Sequence, residues 1–312
     1  MRLVPSFALA GAIALSACTD GGSGPGTDEG GVDDSADALR LGRVHVVLAS
    51  SSDADRDGEV EVTARFALVR GLDEEFVRAR ADMPDLPEDV LSPGQCASES
   101  SLWPPELRDD DVADLDRELQ LIDAGELAVQ LGDVQLDVPL SLVPDLLPYM
   151  SGVEYVYFAE EMPLDDMIDR QDATVSVAAA GGLTEDLPAF SVDGTVPAAV
   201  GLSFTADDLA SIDQGALVLR WNGSSDADAE LALRLTPTLR GEPLGDDVVC
   251  LVSDRGQTRL DLAELRTLGF APEADGVHVE ASRTTATLFD VGAFAGSELL
   301  VERRDAADLP LR

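Results

Sequence analysis

Lysine is absent from the 312-residue chain, so all 21 of its Lys and Arg residues are arginine. That excludes Schiff-base chemistry on a protein amine. Asn222 is the sole asparagine, and there are only two histidines, three cysteines and 4% aromatic residues. His45 in RVHVVL and His278 in GVHVEA both sit inside runs with strand character, where a histidine is more often a structural or surface group than a catalyst. No HExxH, GxSxG, CxxC or glycine-rich phosphate loop occurs. The densest aromatic cluster, Tyr155 to Phe158, reads as core and sheet edge rather than a sugar platform.

Acid is what the chain has in excess. With 61 Asp and Glu against 21 Arg, the formal net charge is −40. Such a chain does not bind nucleic acid or an anionic bilayer through its charge. A surface adapted to saline water and a surface that gathers divalent cations both fit this excess. The acids are spread along the whole chain, which favours the first.

The N-terminus has a distinct pattern. Met1-Arg2 precedes an 11-residue apolar run, Phe7 to Ala17, ending in Leu15-Ser16-Ala17-Cys18. The run is too short to span a bilayer, which needs ~20 residues. It resembles a bacterial lipoprotein signal, a secretory segment with small residues before an obligatory cysteine. The resemblance implies removal of residues 1–17 and acylation of Cys18, which would anchor the chain to a membrane. Thr19 after the cysteine points to the outer membrane. Residues 18–38 are rich in Gly, Ser and Asp and bury too little to order themselves. They form a tether with a reach of ~25 Å.

From residue 39 the pattern is short and β-rich, with an expected fold of two β-sandwich-like (immunoglobulin-like) domains and a few short helices. The boundaries are 39–195, 196–304 and a tail at 305–312. Leu41 to Ala49 and Glu59 to Val69 form a hairpin. Residues 71–110 are irregular, with helix at Glu74 to Arg80. The segments ELQLI from Glu118, ELAVQL from Glu126 and VQLDVPL from Val134 form a meander with one buried face. Leu142 to Met150 is helical or turn, and Val153 to Phe158 and Thr174 to Ala178 are strands. In the second half, strands are expected at Ala199 to Phe204, Ala216 to Trp221, Glu230 to Leu235, Val248 to Ser253, Thr258 to Leu260, Val277 to Thr287 and Glu298 to Arg303. Thr205-x-x-Asp208 caps one helix, with Leu209 and Ile212 facing inward, and Asp261 caps another. Short strands at turn spacings of about 8–12 residues, one carrying Trp221, suggest the immunoglobulin-like arrangement. SSDADRDGEVEV at 51–62 is faintly echoed by SSDADAELAL at 224–233.

Two candidate sites follow from spacing. Asp53, Asp55 and Asp57 before Gly58 have the D-x-D-x-D-G form that opens a calcium loop. The twelfth position is Ala64, so an EF-hand fails, and Glu59, Glu61 or backbone carbonyls would have to complete the site. With Cys18 acylated, Cys96 and Cys250 remain as an even pair, and an oxidising compartment predicts a disulfide between them.

The lipobox, the acidic tether and the spans GELAVQLGDVQLDVPL, VSVAAAGG, VVCLVSDRG and VHVEASR together resemble the β-rich lipoproteins of myxobacteria. That group has no assigned activity, so the resemblance implies an envelope location. The expected function is a non-catalytic binding, adhesion or structural module of the cell envelope, with an envelope protein or glycan as partner. The alternative is a secreted hydrolase or carbohydrate-processing lipoprotein using converging carboxylates.

Overall fold

A computed structural model describes residues 38–51, 58–102, 117–143, 150–164, 168, 173–183, 187–212, 214–226 and 229–311. The fold is mostly β and sandwich-like, with five short helices among the described residues. The strands are β1 (Leu39–Ser51), β2 (Gly58–Arg70), β3 (Gln95–Ser98), β4 (Glu118–Leu121), β5 (Leu127–Leu131), β6 (Val134–Val138), β7 (Leu140–Leu142), β8 (Met150–Met162) and β9 (Thr174–Ala179). They continue as β10 (Phe190–Thr195), β11 (Ala216–Arg220), β12 (Glu230–Leu239), β13 (Glu242–Pro243), β14 (Val248–Ser253), β15 (Gln257–Asp261), β16 (Gly276–Val291) and β17 (Phe294–Pro310). The helices are α1 (Glu74–Arg80), α2 (Pro87–Val90), α3 (Glu99–Leu102), α4 (Ala206–Ile212) and α5 (Leu262–Thr267).

One 11-stranded sheet carries the molecule, in the order β3-β14-β12-β16-β17-β1-β2-β4-β8-β7, with β13 beside β12. It runs straight through the boundary expected near residue 195. The joint is a parallel pairing of β1 with β17, Arg43 opposite Glu298 through Ser51 opposite Ala306. Residues 305–310, read from sequence as a tail, are the end of β17, held by buried Ala307 and Leu309.

Alternation explains the two faces. On β1 and β2, Val44, Val46, Leu48, Val60, Val62 and Phe66 point inward and are fully buried. A four-stranded sheet, β10-β9-β5-β6, covers this half, and Val129, Leu131, Val175 and Val177 complete the first core. Leu299 and Val301 of β17 belong to it too, although they come from the far end of the chain. The second core lies under the other half of the same sheet. There β12, β14 and β16 meet the two-stranded β11–β15 sheet, with Leu217, Leu219, Leu233, Cys250, Val279 and Leu265 buried between. Phe76, Val77 and Met83 around α1 form a third, smaller cluster with Val69 and Leu119.

The hairpin of β1 with β2 forms as the alternation predicts, with Val46 opposite Val62. Both helix caps form as well. Thr205 Oγ1 accepts from the Asp208 N–H at 3.2 Å, and Asp208 Oδ2 accepts from the Thr205 N–H at 3.0 Å. Asp261 Oδ1 accepts from the Ala263 N–H at 2.7 Å.

Other expectations are corrected. Strands β4, β5 and β6 do not make one meander, because the chain leaves the large sheet after β4 and enters the small one at β5. The corner is fixed by Tyr155, whose hydroxyl donates to Asp123 Oδ1 at 2.6 Å and accepts from the Ala124 N–H at 2.9 Å. Leu142, expected to begin a helix or turn, ends the edge strand β7 instead, and residues 144–149 of that segment lie outside the described residues. Residues 199–204 are not a strand and make only an isolated bridge, Ser203 with Arg220. Gly201 there has φ +64°, and a Cβ would collide with the Asn222 side chain, so the segment bends instead of extending. Leu209 of α4 is 39% exposed, and the buried residues of that helix are Asp208 and Ser211.

Candidate functional site

Strand β17 puts charged groups on both faces of the large sheet. Its inward side carries Arg303 and Asp305 between the two cores, and its outward side carries Glu298, Glu302 and Arg304.

The inward set forms a polar seam. Arg283 of β16, 7% exposed, pairs with Asp254 through Nε at 2.6 Å and Nη2 at 3.0 Å. Its remaining donors go to the carbonyls of Ala198, at 3.0 Å, Ala199, at 2.7 Å, and Asn222. The Trp221 indole N–H donates to the second oxygen of Asp254 at 2.6 Å. Burial pushes the Asp254 pKa up, but the hydrogen bonds from Arg283 and Trp221 reverse this and hold it below the usual carboxylate range. Asp305 accepts the Leu202 N–H at 2.6 Å, and burial raises its pKa. The seam thus satisfies the carbonyls of Ala198 and Ala199 and the N–H of Leu202 in the crossing segment. A more exposed pair orders α4, where Arg220 Nε lies 2.9 Å from Asp208 and holds that acid near pKa 2, with help from the Thr205 hydroxyl.

Glu302 and Arg304 of the outward set line a cleft of about 170 Å³. Its floor is made by Arg43 and His45 of β1, Glu302 and Arg304 of β17, Ser282 and Glu280 of β16 and Arg234 of β12. Pro84 and Leu86, between α1 and α2, and Pro87, which opens α2, roof it. Both histidines stand on this face. His45 Nε2 lies 3.0 Å from Glu302 Oε2, and Arg304 Nε donates to Glu302 Oε1 at 3.0 Å. Burial works against the charge on Glu302, yet the His45 hydrogen bond and the Arg304 charge bring its pKa down to about 2. His278 is held up at about 9 by Glu280, 3.7 Å away, and by Asp308 at 2.8 Å, against partial burial. Arg43 is clamped to Glu298 at 2.6 Å, and Arg234 to Glu99 at 2.9 Å. Each arginine is matched by a carboxylate, so the cleft presents balanced charge. Ser282 and Thr284 of the lining sit on β16, one strand beyond β17 from His45, which is turned to Glu302.

Cys96 and Cys250 are joined by a disulfide that links directly opposed residues of β3 and β14. It ties the segment after α2 to the second core within one sheet, whereas an immunoglobulin cystine bridges two facing sheets. Cys18 and the calcium candidates Asp53, Asp55 and Asp57 lie outside the described residues. Glu59 and Glu61, named as completing ligands, are exposed on β2. Among the described residues, no group of three or more His, Cys, Asp or Glu is placed to hold a metal ion. No described helix is long and apolar enough to cross a membrane.

Sequence reasoning missed the ionic cleft. Its members come from strands more than 200 residues apart, and in so acidic a chain no single carboxylate stood out. The sequence matches no known family model and no curated protein.

Proposed function

We propose that the chain is a non-catalytic binding or structural module of the bacterial cell envelope, carried on a lipid anchor at Cys18. The observation that carries this reading is Leu15-Ser16-Ala17-Cys18 behind a short apolar run, followed by a Gly- and Asp-rich stretch up to the first strand at Leu39. Acyl chains on the cysteine, each methylene contributing ~0.8 kcal/mol of membrane affinity, would hold it at the outer membrane. The Cys96–Cys250 disulfide supports the reading, because such bonds persist in oxidising compartments. The charge-matched cleft supports a non-catalytic role, since its His45 and Glu302 are engaged with each other. Mass spectrometry of the membrane fraction tests the anchor. A mature N-terminal peptide beginning at an acylated Cys18 is expected, and an unmodified Cys18 in a soluble product would contradict it.

A further inference from the structure

The two sheets of the first half end side by side on one flank. Strand β6 is the last strand of the small sheet, β7 is the last strand of the large one, and Pro139 joins them. Between them opens a groove of about 810 Å³. Leu127, Val138, Leu140 and Tyr155 give it an apolar floor, while Asp123, Glu126 and Asp137 stand around it with no arginine or histidine among the lining residues.

The hydrogen bonding of β7 fixes which backbone groups are free. Val156 N–H donates to the Pro139 carbonyl at 3.3 Å, and Val143 N–H donates to the Gly152 carbonyl at 3.1 Å. Residues 139 and 143 therefore face β8, and so does Ser141, opposite Glu154. The N–H and C=O groups of Leu140 and Leu142 point the other way, to the open edge, and among the described residues nothing pairs with them. Their side chains stand beside the groove, Leu140 at 45% and Leu142 at 76% exposure. Natural sheets guard such edges with charge. The far edge of the same sheet, β3, is four residues long and followed at once by α3. Strand β7 has no charged residue.

We propose that this edge binds an extended cationic peptide segment of a partner protein by strand addition. The incoming backbone pairs with Leu140 and Leu142, its apolar side chains enter the groove over Val138 and Tyr155, and its arginines or lysines meet Glu126 and Asp137. The charge decides the occupant. A second copy of this chain brings another −40 to a groove that is already acidic, whereas a basic strand relieves both. The three-residue edge suits a short recognition segment. This names the ligand class of the binding module proposed above and rests on that reading only in taking the chain to bind a partner. It stands whether or not Cys18 is acylated.

The test uses the full chain in neutral detergent and a fluorescent peptide of alternating arginine and valine, read by anisotropy. Saturable one-to-one binding is expected. Leu142→Pro removes an outward N–H without breaking a bond to β8, so it should weaken binding about tenfold or more with little change in thermal midpoint. Methylating alternate peptide amides should do the same. Glu126→Gln with Asp137→Asn gives an independent variant that leaves the edge backbone intact and should also weaken binding. Equal binding by the methylated peptide, or by both variants, would show that the peptide coats the acidic surface and would overturn the proposal. Absence of saturable binding would overturn it as well, as would sedimentation showing a dimer that Leu142→Pro dissolves.

Discussion

The two halves of the large sheet bury the same kind of side chain under different covers. The first core is closed by a second β-sheet and holds its aromatic groups in contact, Phe66 lying 5.6 Å from Phe190 and 5.9 Å from Phe294. The second is closed by a two-stranded sheet and short helices, and a disulfide staples its edge. The shared sheet does not break between them. Where the cover changes, the inward positions of β16 and β17 turn from aliphatic to Arg283, Arg303 and Asp305. The polar seam lets a chain segment cross beneath the sheet with its carbonyls satisfied, so the change of cover costs no break in the ladder.

The seam is where the comparison breaks first. Arg283→Ala would strand the Asp254 charge and leave the carbonyls of Ala198, Ala199 and Asn222 without their donor. A loss of about 3–5 kcal/mol is expected, measured by chemical denaturation. Arg283→Met with Asp254→Leu should recover part of it, since the stranded charge is then gone.

Removing the disulfide separates the halves more gently. The bond closes a loop of 154 residues, and its loss in Cys96→Ala with Cys250→Ala should cost about 2–5 kcal/mol. Hydrogen exchange should rise first at β3 and β14, leaving β5 and β9 slow. Equal loosening of both cores would argue against a local staple.

The outward cleft predicts a pH window. Glu302 falls from 4.5 to about 2 on folding, so its contribution is present above pH ~4.5 and is lost as the pH drops towards 2. His278 rises from 6.5 to about 9, so its contribution is complete below pH ~6.5 and is lost as the pH climbs through 9. The thermal midpoint should therefore be highest between these limits. Glu302→Gln should make the acid limb shallower, with Asp208 still contributing to it, and leave the alkaline limb in place.

The smallest effect is expected at Arg70–Glu118, an ion pair with both side chains nearly half exposed. Arg70→Ala should change stability by less than ~1 kcal/mol, and less still in salt.

Much of this architecture could be read from residue order. Alternation located the strands that have one wet face, such as Leu127, Val129 and Leu131 on β5. Thr205 with Asp208, and Asp261, marked helix starts because capping is a local bond. Parity of the cysteines paired Cys96 with Cys250 once Cys18 was set aside. The parallel joint of β1 with β17 had no local signature, since its partners lie about 255 residues apart. Residues 199–204 have strand composition, but Gly201 and the Asp305 carboxylate decide their path, and that carboxylate sits a hundred residues away. Leu209 looked like core because its neighbour Asp208 was not expected to be the buried group. The ionic cleft was hidden for the same reason as the joint, its charges being brought together only by sheet register. The edge at β7 was concealed because Leu142 read as the start of a helix or turn.

One sheet, joined at β1 and β17, is expected to make both halves a single cooperative unit. Native-state hydrogen exchange in rising denaturant tests it most directly, following the slowest amides of β5 and β9 against those of β12 and β14 with the disulfide intact. Both sets are expected to converge on one opening free energy. Two sets that stay separated at every denaturant concentration, one half opening while the other holds, would contradict it.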